Sequence, residues 1–289
     1  MLHYNVAIGY TALGAEDNDG RNVAVGYAAL ATQNAGTAAY NVALGFEAGL
    51  SVTTGSENVL MGGNVALALT TGIRNVAIGH GALQNEDTTG YNVAIGNRAL
   101  QSQNTAVNAY NVAVGSNAGQ AVTTGIYNTL LGGLAGDALT TGVRNVAIGY
   151  NALGSEDTGN RNIAVGDGAL ANLNYNGNGY NVAVGLNAGT NVTTGFNNIC
   201  IGGLAGDSLT TGSNNIIIGY DAEASSATVS NEITIGGPTN RNIRFPGGLP
   251  AYADDAAAGA GGLLANMLYQ TNGSGAAPLN VAGIVMIKQ

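Results

Sequence analysis

The sequence predicts an all-β protein, a parallel β-solenoid of about 14 coils that ends in a small C-terminal tip, and three observations carry that expectation. The stretch Asn5-Val6-Ala7-Ile8-Gly9 returns every 17 or 19 residues as far as Glu232-Ile233-Thr234-Ile235-Gly236. A fixed period of this size marks stacked units, none of which buries a core alone. Within each stretch large and small side chains alternate, which is the periodicity of a strand. The chain also holds 47 Gly but only 4 Pro among 289 residues, with 9 % charged residues. Set between regularly spaced Val and Ile, those glycines read as turn residues of a β architecture.

The Asn, or its stand-in, occupies 5, 22, 41, 58, 75, 92, 111, 128, 145, 162, 181, 198, 215 and 232. Steps of 17, 19, 17 and 17 close a 70-residue unit, and three such units start at Asn5, Asn75 and Asn145. Residues 1–236 are therefore assigned to the repeat shaft and 237–289 to the tip. In each strand Val6 and Ile8, or their equivalents, share one face and Ala7 takes the other. The large column is expected to fill the interior of the coil. The small column (Ala7, Ala24, Ala77, Ala94, Ala147, Ala164, with Leu60, Leu130 and Cys200 once per unit) is expected to be a subunit contact, because small side chains let neighbouring chains approach.

After the Gly come two variable residues and an Ala, which fits a tight corner. Thr-Thr-Gly at 53–55, 70–72, 123–125 and 140–142 supplies turns on the return path. Thirteen steps of about 4.8 Å give a shaft of roughly 60 Å. Beyond Gly236 the period breaks at Phe245-Pro246-Gly247-Gly248. Asp254-Asp255 before Ala256-Ala257-Ala258 predicts a capped helical turn, while Met267–Gln270 and Gly283–Ile287 predict closing strands. So short a segment makes a poor core alone, so the tip is expected to assemble with copies of itself.

The net charge of -9, with Lys288 the single lysine, argues against nucleic acid and anionic membranes as partners. A lone cysteine makes no intrachain disulfide, and no Cys/His spacing suggests a metal site. The repeat begins directly after Met1 and no apolar run approaches about 18 residues, so neither a signal peptide nor membrane insertion is expected.

The pattern Asn-Val-Ala-Ile-Gly-x-x-Ala over residues 5–236 resembles the head repeats of trimeric autotransporter adhesins, whose coils form a left-handed parallel β-roll joined three-fold, and similar repeats in bacteriophage tail fibres. The segment from Ala253-Asp254-Asp255 to Leu268-Tyr269-Gln270 looks like one common at the C-terminus of phage structural proteins. The signal peptide and membrane β-barrel of the adhesins are not seen, which favours the phage resemblance. It implies a homotrimeric, non-enzymatic virion fibre without cofactor or metal. Another virion protein would hold its N-terminal end, and a host-surface glycan or protein would be its receptor. A structural spacer or capsid decoration and a bacterial adhesin head are the alternatives.

Left-handed β-helical acyltransferases are also trimers, but their coils come in multiples of six and rely on a histidine. Here His80 occupies a slot filled by Tyr10, Tyr150 and Tyr220 in sister coils. The corners Glu16-Asp17, Glu86-Asp87 and Glu156-Asp157 could contribute carboxylates to calcium, yet two acids per corner are few ligands, and a solvated turn is expected. Threonines set in turns before Gly do not form the flat strand array of an ice binder. If the chain itself carries attachment, the receptor site is expected at the C-terminal tip or on the long loops of the 19-residue coils, through Gln33, Asn34, Gln103, Asn104, Asn172, Asn174, Tyr175 and Asn176; ordinary surface loops are the alternative for these residues. Amides and an aromatic ring suit sugar hydroxyls and ring faces. Tyr40, Tyr110 and Tyr180, which follow those loops, are expected to form a packing ladder.

Overall fold

The computed structural model describes residues 4–16 and 20–238, together with the backbone of the strands at 251–252, 268–271 and 285–287. The chain divides into two units, 1–240 and 241–289. The first carries a 14-stranded parallel sheet, β1 (Val6–Ile8) to β14 (Ile233–Ile235), with the strands in sequence order and one per coil. Equivalent repeat positions pair, Val23 with Val42 and Ala24 with Ala43, for example. Among the described residues there is no helix.

Each strand stays three residues long because left-handed backbone flanks it on both sides. The residue before the Asn has a positive φ in every coil, 51° at Arg21 and 60° at Arg161 for instance, and the Gly after the strand has φ 134° at Gly96. At that Gly no other residue fits. A Cβ on Gly96 would stand 2.3 Å from the carbonyl oxygen of Gly115 one coil on.

The alternation along the strand is as expected, but the two faces are exchanged. Ala24, Ala77, Ala94, Ala147 and Ala164 are fully buried within the single chain, as are Leu60, Leu130 and Cys200. The small column is thus the inner face of the coil, and a side chain enclosed by its own coil has no surface to offer another chain. Ala7, in the first coil, is the one exposed member. Val and Ile point outward and stay half-buried or exposed, as with Val6, Ile163 and Ile235. The reason is room: the wall opposite the sheet carries Leu30, Leu83, Leu100, Leu153 and Leu170 into the same narrow interior, all fully buried. Against them only alanine fits.

The 70-residue unit is a volume-compensation pattern. Eight residues after the Asn, the first two coils of a unit carry Leu (Leu13 and Leu30, Leu83 and Leu100, Leu153 and Leu170), and the last two carry Gly or Ala. The larger inner side chain of the strand stands beside those small residues. A Cβ on Gly119 would fall 2.6 Å from Leu130, and one on Gly206 would fall 2.9 Å from the sulfur of Cys200. Leu60, Leu130 and Cys200 therefore fill space inside the coil, where large and small alternate to keep the packing dense.

The repeated Asn forms the most regular hydrogen-bond array. Its backbone N–H donates to the side-chain oxygen of the Asn one coil earlier, over 2.8 Å from Asn128 to Asn111 and 2.9 Å from Asn145 to Asn128. Its Nδ2 donates to a carbonyl 14 residues on, 2.7 Å from Asn111 to Gly125 and 2.9 Å from Asn128 to Gly142. The ladder ties strand to return path in the interior, where an unpaired amide is costly.

In the second unit Ala251–Tyr252 pairs in parallel with Leu268–Thr271, which pairs antiparallel with Val285–Ile287. Two of these are the closing strands expected; the helical turn expected at 254–258 lies outside the described residues.

Candidate interaction surface

The outward face of the sheet is an aliphatic ribbon two side chains wide, running the length of the coils. Exposed and half-buried columns border it. Before the Asn of nine coils stand Arg21, Tyr40, Arg74, Tyr91, Tyr110, Tyr127, Arg144, Arg161 and Tyr180; after the Gly of seven coils stand Tyr10, Tyr27, Phe46, Tyr150, Asp167, Leu186 and Tyr220. A step of about 4.8 Å between coils brings like rings into offset stacks. Tyr91, Tyr110 and Tyr127 stack with centroids 5.0 and 5.8 Å apart on one margin, and Tyr10, Tyr27 and Phe46 at 5.6 and 5.3 Å on the other. The ladder expected at Tyr110 is therefore present. Guanidiniums join it: Arg144 lies 5.2 Å from the Tyr127 ring and Arg161 5.5 Å from Tyr180. Arg74 bridges Glu57 at 2.8 Å and donates to the Tyr91 hydroxyl at 2.6 Å. The hydrogen bond from Arg74 holds the Glu57 carboxyl below its ordinary range.

At a length of roughly 60 Å and a width of about 15–20 Å, ribbon and margins together present on the order of 1,000 Å².

The loop residues divide. Asn34, Asn104, Asn172, Asn174 and Asn176 are exposed, but Gln33 and Gln103 are fully buried, so these two are corrected from receptor contacts to core. Their position, eleven residues after the Asn, faces inward in every coil of the three 70-residue units and reads Glu16, Gln33, Val52, Leu69, then Glu86, Gln103, Val122, Leu139, then Glu156, Leu173, Val192, Leu209. Gln103 accepts from the Nδ2 of Asn111 at 2.7 Å. Tyr175 is half-buried and stacks on Phe196 at 5.4 Å. The three loops are not brought together, since successive ones lie four coils, about 19 Å, apart.

The same inward column corrects the solvated-turn expectation for the acidic corners: Glu86 and Glu156 are fully buried and Glu16 is 6 % exposed. Glu156 accepts from the backbone N–H of Gly159 at 2.8 Å and from that of Tyr175 at 3.4 Å. Burial, opposed by those hydrogen bonds, pushes its carboxyl from 4.5 up to about 7, and burial raises Glu86 as well. A group with a raised folded pKa contributes stability that is whole below its unfolded value and declines as pH rises toward the folded one. The contribution from Glu156 is therefore lost between about pH 4.5 and 7, worth roughly 3 kcal/mol at most. The shaft should melt higher at pH 5 than at pH 8, and Glu156→Gln should flatten that difference while Glu86 keeps part of it. Thermal melts across this range check it, and an unchanged slope in the variant would refute it.

Among the described residues no three His, Cys, Asp or Glu side chains are grouped to hold a metal, and no helix is long and apolar enough to cross a membrane. Burial pushes the Cys200 thiol up to about 12, in keeping with a space-filling role. Compared with family models, with curated proteins and with solved structures, the chain matches none.

Proposed function

We propose that this chain is a non-enzymatic fibre protein that assembles as a homotrimer through its outward Val/Ile ribbon and serves as a phage tail fibre, binding a host-surface glycan or protein. The observation that carries the assembly is the ribbon itself: an outward strip that is aliphatic in every strand and interrupted by a polar side chain at Thr129, which together with its margins is of the size one partner contributes to a standard interface. The virion role rests on the resemblance of the repeats and of the C-terminal segment to phage fibres. The exposed loop amides, on a rigid scaffold, are the attachment residues proposed.

Ile95→Glu places a charge on the ribbon while leaving the coil interior untouched. It should keep the wild-type circular dichroism spectrum and lose the trimer mass in light scattering; a trimer that survives it removes the ribbon from the interface. Adsorption competition tests the role: purified protein should block phage adsorption, and Asn174, Tyr175 and Asn176 changed to Ala should weaken the block. Undiminished blocking excludes that loop as the receptor site. Immunogold label away from the tail would instead favour a capsid decoration, and label on a bacterial surface an adhesin head.

A further inference from the structure

We infer that copies of the chain pack in parallel and in register, with the margin before the strands of one copy against the margin after the strands of the next, so that Arg161 of each copy meets the Asp167 of its neighbour. This rests on the proposed assembly through the ribbon. In three successive coils the two margins are complementary at equal height. In the coil starting at Asn162, one margin carries Arg161 and the other Asp167. In the coil before, Arg144 stands level with the exposed ring of Tyr150, a cation–aromatic pair. One coil earlier again, the bulk of Tyr127 stands level with Gly133. Charge meets opposite charge, cation meets ring, and large meets small.

Within one chain the two groups stand on opposite margins of the strand Ile163–Val165, and Arg161 lies over the ring of Tyr180 one coil on and donates to its hydroxyl at 3.2 Å. Among the described residues neither Arg161 nor Asp167 makes an ion pair, and the one ion pair is Arg74 with Glu57. Orientation decides what each margin faces. An antiparallel arrangement lays like margin on like margin, and over the full fourteen coils it sets Arg161 on Arg74. A parallel arrangement rotated about the long axis lays unlike margin on unlike margin at the same coil, which yields the pairs above. Like charges face to face are strongly disfavoured, so the charge pattern selects register and direction.

The test is a charge swap in the full chain. Arg161→Asp sets carboxylate against carboxylate and Asp167→Arg cation against cation; each alone should weaken association by about ten-fold or more. The double variant, which exchanges the charges, should return to near wild-type association. Sedimentation over a dilution series, with circular dichroism to verify the fold, reads all four proteins. A monomeric wild type would refute the assembly itself. An oligomer whose association either single change leaves intact, or whose double variant is as weak as the singles combined, would overturn the register and leave the assembly standing.

Discussion

Ala94→Glu is expected to unfold the shaft rather than dissociate it. Ala94 is fully buried and sits in register between Ala77 and Ala113, facing an interior that Leu83 and Leu100 already fill. A glutamate there meets two costs together. Its added volume overpacks a coil in which alanine is the largest residue the space accepts, and its carboxylate enters an apolar interior without a partner, each costing at least a few kcal/mol. Against a total stability of about 5–15 kcal/mol, that combination should abolish the cooperative melt or lower Tm by about 10 °C or more. The neighbouring Ile95→Glu, one residue away on the opposite face, should leave the melt of the monomeric coil in place and act on assembly alone. Thermal melts and light scattering on the pair separate the two. If Ala94→Glu keeps the spectrum of the folded coil and loses only the oligomer mass, the alanine column is a subunit contact and the face assignment fails.

Asn111→Ala should cost nearly as much, through hydrogen bonds rather than volume. The Asn111 side chain accepts from the backbone N–H of Asn128 at 2.8 Å and donates at 2.7 Å to both the carbonyl of Gly125 and the side chain of Gln103, and all of these lie in the interior. Removing the amide strands a buried donor and two buried acceptors, at about 1–3 kcal/mol each. A loss of about 3–9 kcal/mol is expected, centred on the coils at 111 and 128, and hydrogen exchange should show the amide of Asn128 losing protection first. Asn104→Ala, on the exposed loop of the coil before, should stay within about 0.5 kcal/mol of wild type. Equal melts for the two variants would show that the ladder is not what binds coil to coil.

Both results turn on what was legible in the chain and what was not. The period, the strand positions, the corner glycines and the four-coil unit could all be read directly, because each is a local requirement repeated in the chain. Gly96 must be Gly wherever the next coil passes 2.3 Å from its missing Cβ. The amides of the long loops could also be named, and Asn34, Asn104 and Asn174 do lie on the surface. Gln33 and Gln103 could not be told from them, since an amide near a loop looks the same whether it points to water or to the ladder. Its signal was the column it shares with Val52, Leu69, Val122 and Leu139, an otherwise apolar position. The burial of Glu86 and Glu156 is hidden in the sequence for the same reason: a carboxylate beside a turn suggests solvent until its neighbours above and below are known to be core.

The sequence by itself determined that the chain coils, where each coil begins, and that each strand has a large and a small face. Only the tertiary structure decided which of those faces is inside. Alternation with period two is symmetric between them, and the usual rule that bulk goes inward assumes an interior wide enough to hold it. Left-handed corners on both sides of the strand keep the coil tight, and leucines on the opposite wall take the remaining space. Alanine therefore turns inward, and Val and Ile are left on the outside.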